Sequence, residues 1–90
     1  MKPVNEMTKA ELHKEVRYWA REMRRMHVGE TFDSAVNADY FAIKENCYPF
    51  IGELRSRGLS ATDRRIIDAY ADAEFRKSKA IDKTMDALYA

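Results

Sequence analysis

Three observations predict an all-α fold for this chain. Apolar residues recur at helical spacing along three stretches, two of those stretches open on capping boxes, and only three Gly and two Pro interrupt the 90 residues. Hydrophobic residues make up 46% of the chain and charged residues 34%, a balance that disfavours disorder and an all-β fold, so residues 1–90 read as a single helical domain. A chain this short buries only about 60–65% of the surface it exposes when unfolded, and assembly into an oligomer is expected to supply further burial. The expected architecture is an N-terminal helix followed by an antiparallel two-helix hairpin, three helices in total.

Helix one is predicted over residues 8–27. Thr8-Lys9-Ala10-Glu11 is a capping box, and Met7 and Leu12 flank it in the positions of a hydrophobic staple. Leu12, Val16, Trp19, Met23 and Met26 then step by three or four residues, and Gly29 is the expected left-handed terminator. Helix two is predicted over residues 33–57, its cap falling somewhere in Asp33-Ser34-Ala35-Val36-Asn37. Its apolar stripe is Val36, Tyr40, Ile43, Cys47, Phe50, Ile51 and Leu54, and Arg55, Arg57 and Gly58 close it. Pro49 lacks an amide donor and is expected to bend this helix or break it in two.

Helix three is predicted over residues 60–89, opening on Ser60-Ala61-Thr62-Asp63, a capping box with Asp in place of Glu. Its seam, Ile67, Ala71, Glu74, Ser78, Ile81, Met85 and Leu88, is small or polar in the middle and should pack weakly against one neighbour. Ile66, Tyr70, Ala73, Phe75 and Ala80 widen the apolar arc beyond what one partner helix needs, which makes a subunit contact the expected use of the surplus.

The formal charge of +1 gives no global pull towards nucleic acid or an anionic membrane. A single cysteine, Cys47, cannot form an internal disulfide, and it falls on the core stripe of helix two. The opening MKPVNEMTKAE lacks an apolar signal segment and no later run approaches a membrane span, so a cytoplasmic protein without membrane contact is expected. His13 and His27 are fourteen residues apart on one helix, about 21 Å along its axis, too far to share a metal ion. With no Gly-rich phosphate loop, HExxH or CxxC pattern, the expectation is a protein that is not an enzyme and carries no metal or cofactor.

Two clusters remain that could bind a partner. Lys14, Arg17, Arg21, Arg24 and Arg25 form a basic stripe on helix one, but Glu11, Glu15 and Glu22 are interleaved with them in sequence. That dilution reads more simply as a solvated, partly salt-bridged face than as a grip on a nucleic-acid polymer. In Tyr40-Phe41-Ala42-Ile43-Lys44-Glu45-Asn46-Cys47, Tyr40 and Lys44 lie four residues apart on one helix face, with Phe32 just upstream. Spacing alone fits a rim lysine beside a core tyrosine better than a ligand site.

The same stretch, followed by a turn and a helix through Phe75-Arg76-Lys77-Ser78-Lys79-Ala80-Ile81, resembles the helical hairpin of phage anti-CBASS sponge proteins. The resemblance covers about residues 32 to 81 and is carried by Phe32, Tyr40, Ile43, Lys44, Phe75, Ala80 and Ile81. It implies a ring-like homo-oligomer, a hexamer, that sequesters cyclic dinucleotides or trinucleotides in the host bacterial cytoplasm without cleaving them. It also implies that Lys44 contacts phosphate while Phe32 or Tyr40 stacks a base. A second reading of the chain is a small helical phage interaction protein, an inhibitor or adaptor, using the basic face of helix one on nucleic acid or an acidic protein surface.

Overall fold

The computed structural model describes residues 2–29 and 34–89, with side chains from residue 36 onward in the second segment. A short 3-10 turn, Val4–Glu6, precedes three helices: α1 Lys9–Arg25, α2 Ser34–Ser56 and α3 Ala61–Tyr89. No strand occurs among the described residues, so the fold is all-helical. Phe32 and the expected first residue of helix two, Asp33, lie outside the described residues.

Local chemistry sets where α1 and α3 begin. The Thr8 hydroxyl accepts the Glu11 amide at 3.1 Å while the Glu11 carboxylate accepts the Thr8 amide at 2.9 Å, so the box closes in both directions. Met7 and Leu12 on either side of it are buried, as a staple requires. The bond from the Thr8 amide, helped by Lys2 at 3.0 Å, holds the Glu11 carboxyl down at about 2. Ser60 and Asp63 repeat the reciprocal pair at the start of α3, with distances of 2.9 and 3.1 Å. Between α2 and α3, Gly58 has φ +85°, a left-handed conformation that glycine adopts without a Cβ clash.

Gly29 does not do the same for α1. The helix ends at Arg25, short of the expected residue 27, and Met26 is already extended with φ −59° and ψ 129°. The reason lies in α3, whose Lys77 ammonium donates to the Met26 carbonyl at 2.5 Å and whose Thr84 hydroxyl donates to the Gly29 carbonyl at 3.1 Å. These donors hold the chain that follows α1 along α3, and Gly29 does not adopt a positive φ. α2 is likewise not broken at Pro49 but runs through it. Pro49 and Glu45 are both exposed, so water can take up the Glu45 carbonyl that proline leaves without a donor.

Cross-links between the helices give their directions. Lys9 and His13 of α1 reach Asp63 of α3, and Met26 at the other end of α1 meets Lys77, so α1 and α3 run parallel. Tyr48 of α2 meets Glu74 and Tyr70 of α3, while Tyr40 lies across from Ile81, so α2 is antiparallel to α3. α1 packs closely against both other helices, and the α2–α3 contact is the thinner one. The core draws Leu12, Val16 and Met23 from α1, Cys47, Phe50 and Leu54 from α2, and Ile66, Tyr70 and Ala73 from α3. The seam residues Ala71, Glu74 and Ser78 stay outside it and line open grooves between α2 and α3.

Cys47 is fully buried, and loss of solvation, reinforced by the Glu74 carboxylate, pushes its thiol up to about 12. A disulfide-exchange reagent such as Ellman's is therefore expected to label the denatured chain fully while leaving the folded protein unlabelled. Prompt labelling of the folded protein would show that α2 opens readily.

Candidate ligand groove

Residues 40, 41 and 48 each lie one turn from residue 44 on the same side of α2, and this spacing gathers three rings around one cation. The Lys44 ammonium sits 5.0 Å from the Tyr40 ring centroid, 5.3 Å from that of Phe41 and 5.8 Å from that of Tyr48. At these distances the ring faces attract the charge and limit where the flexible lysine can point. Tyr40 and Phe41 are themselves edge to face, 5.4 Å apart at 72°. Lys44 is half-buried and forms no ion pair among the described residues.

The ammonium lines a groove of about 390 Å³ between α2 and α3, with Tyr40, Phe41 and Asn37 on one wall and Ser78, Ile81, Asp82 and Met85 on the other. A second groove of about 360 Å³ continues along the same seam past Ile51, Gly52, Arg55, Ile67 and Ala71. Tyr48 stands between the two. Its ring faces Lys44 and its hydroxyl donates to Glu74 at 2.6 Å, while Tyr70 donates to the same carboxylate oxygen at 3.1 Å. Loss of solvation first, and the Glu74 carboxylate second, raise the Tyr48 phenol, so it stays a neutral donor.

The structure brings Tyr40 and Lys44 together but separates the three rings around Lys44 by burial. Tyr40 is only 7% exposed and belongs to the core, whereas Phe41, in the lining of this groove, and Tyr48, in the lining of the second, are 49% and 46% exposed. Sequence reasoning passed over these two because neither lies on the apolar stripe of α2. An aromatic residue off the stripe and one turn from an unpaired lysine was the signal available. Phe75, on α3 near the same seam, is 60% exposed and carries Lys79 5.2 Å from its ring.

His13 is half-buried and bonded to Asp63, and no group of three or more His, Cys, Asp or Glu side chains that could hold a metal occurs among the described residues. No described helix is long and apolar enough to cross a membrane. No family model, curated protein or solved structure matches the chain.

Proposed function

We propose that the groove around Lys44 holds a cyclic dinucleotide or trinucleotide and that the protein sequesters this ligand without cleaving it, in the manner of the anti-CBASS sponges that residues 32–81 resemble. The observation that carries the reading is an ammonium with no ion-pair partner among the described residues, held beside the exposed rings of Phe41 and Tyr48 and lining a groove. An anionic ligand with flat bases is the chemistry such a site can use. Phosphate meets the ammonium through a charge-assisted hydrogen bond, and each base stacked on Phe41 or Tyr48 contributes roughly 1–3 kcal/mol.

One copy of the groove is incomplete for this ligand. A cyclic dinucleotide carries two phosphates, while the groove lining offers one cation, Lys44, against the carboxylate of Asp82. A second copy across a two-fold axis brings a second Lys44 and a second pair of rings with the symmetry of the ligand. The site therefore belongs to a homo-oligomer, and the hexamer implied by the resemblance holds three such pairs. The exposed rings of Phe41, Tyr48 and Phe75 give that assembly apolar surface to bury.

Melting the protein in the presence of a panel of cyclic di- and trinucleotides tests the proposal. At a ligand concentration about 100 times Kd the folded state gains about 2.7 kcal/mol, a shift of about 10 °C or more for a domain of this size. Recovery of the ligand intact after heat release separates sequestration from hydrolysis. A panel in which no member raises the melting temperature would refute the proposal.

A further inference from the structure

The outer face of α1 was set aside on sequence grounds because glutamates alternate with its cations, but folding sorts the two signs apart. At 3.6 residues per turn, Lys14, Arg17, Tyr18, Arg21 and Arg24 fall within about 120° of one another, while Glu11, Glu15 and Glu22 gather on the adjoining flank. Two of the glutamates are engaged elsewhere: Glu11 closes the capping box and binds Lys2, and Glu22 lies 3.5 Å from Arg25; Glu15 is half-buried beside Lys14. Lys14, Arg17, Arg21 and Arg24 are all exposed, and none forms an ion pair among the described residues.

Tyr18 borders these cations, one turn from Lys14 and Arg21, and is 45% exposed and held edge to face against Trp19 at 4.9 Å and 83°. The opposite face of the helix, with Leu12, Val16, Ala20 and Met23, is locked into the core, so the cationic face is presented on a rigid element. From Lys14 to Arg24 it runs about 15 Å along the axis. We infer that this face binds single-stranded nucleic acid: the four cations track the phosphates, and the Tyr18 ring stacks a base that is free only in an unpaired strand. An exposed ring one turn from both Lys14 and Arg21, at the border of the cationic arc, is what favours a nucleic acid over an acidic protein surface, which would use the cations alone. The inference is independent of the Lys44 groove.

The test is fluorescence anisotropy of a labelled oligothymidylate of about 12 nucleotides, titrated at salt from about 50 mM upward. Four phosphate contacts predict that log K falls with log salt at a slope near −3, and Arg17→Ala with Arg21→Ala should reduce the magnitude of that slope by about 1.4. Tyr18→Ala should weaken binding about tenfold and leave the slope unchanged. Every substituted side chain is exposed, so melting temperatures should match the wild type and confirm that the variants fold. Lys44→Ala should bind the oligonucleotide normally. Absence of binding at low salt, or an unchanged slope in the arginine variant, would overturn the inference. Equal affinity for polyglutamate together with no effect of Tyr18→Ala would also overturn it, and would identify an acidic protein surface as the partner.

Discussion

Asp63→Ala is expected to lower the melting temperature by on the order of 10 °C, the largest stability effect among the polar residues of this protein. Asp63 is the polar side chain with no exposure at all among the described residues, and it holds three partners at once. One carboxylate oxygen accepts the Lys9 ammonium at 2.8 Å and the Ser60 amide at 2.9 Å, and the other lies 2.6 Å from His13 Nε2. A carboxylate can only accept, so the imidazole nitrogen donates. A single residue thus closes the capping box of α3 and ties its start to the first two turns of α1. Alanine would open the box, sever the tie, and leave Lys9 without its counter-charge and His13 without its hydrogen-bond acceptor. Ser60→Ala removes only the reciprocal bond and should lower the melting temperature by a few degrees, about 1 kcal/mol for a lost cap.

The same site predicts a pH dependence with a definite sign. Lys9 first, then the Ser60 amide and His13, hold the Asp63 carboxyl well below the ordinary aspartate value of 3.8. A group whose folded value is depressed contributes stability that is fully present above its unfolded value and is lost as pH falls through the folded one. The gap in melting temperature between wild type and Asp63→Asn should therefore shrink as pH drops below 3.8. Circular dichroism melts across the acidic range measure it. A gap that widens on acidification would contradict the assignment of Asp63 as an ionised partner of Lys9.

The second large effect is on binding. Lys44→Ala should fold with a melting temperature within a few degrees of wild type, because the side chain is half-buried and its removal costs three cation–ring contacts at the rim. It should at the same time lose the ligand-induced shift entirely, because the groove lining around it offers no other cation and Asp82 remains. Lys44→Arg keeps the charge and should keep part of the shift. Phe41→Ala should weaken binding by roughly 1–3 kcal/mol for each base that loses its ring, about five- to 150-fold per base, and leave the fold intact. An unchanged shift in Lys44→Ala would move the ligand away from this groove altogether.

The helices were legible in the sequence wherever their determinants are local. Thr8 with Glu11, Ser60 with Asp63, and Gly58 each act within a few residues, so pattern and structure agree on them. The end of α1 was not legible, because what stops it is a lysine and a hydroxyl more than fifty positions away on α3. The Lys9–Asp63–His13 cluster was hidden for the same reason: a cap residue and two solvent-type side chains give no sign of meeting across 50 and 54 residues. At the groove, spacing placed Tyr40 beside Lys44, but burial then divided the rings into a core tyrosine and two exposed aromatics, Phe41 and Tyr48. The basic face shows the converse: charges interleaved along the chain separate around the helix axis, which linear reading averages away.

Isothermal titration of the cyclic nucleotide that gives the largest thermal shift is the most direct measurement of the central claim, since it reads affinity and stoichiometry together. The account predicts one cyclic dinucleotide bound per two chains of an oligomer, and no measurable heat with Lys44→Ala. Binding of one ligand per chain to a monomer, or undiminished heat with Lys44→Ala, would contradict it.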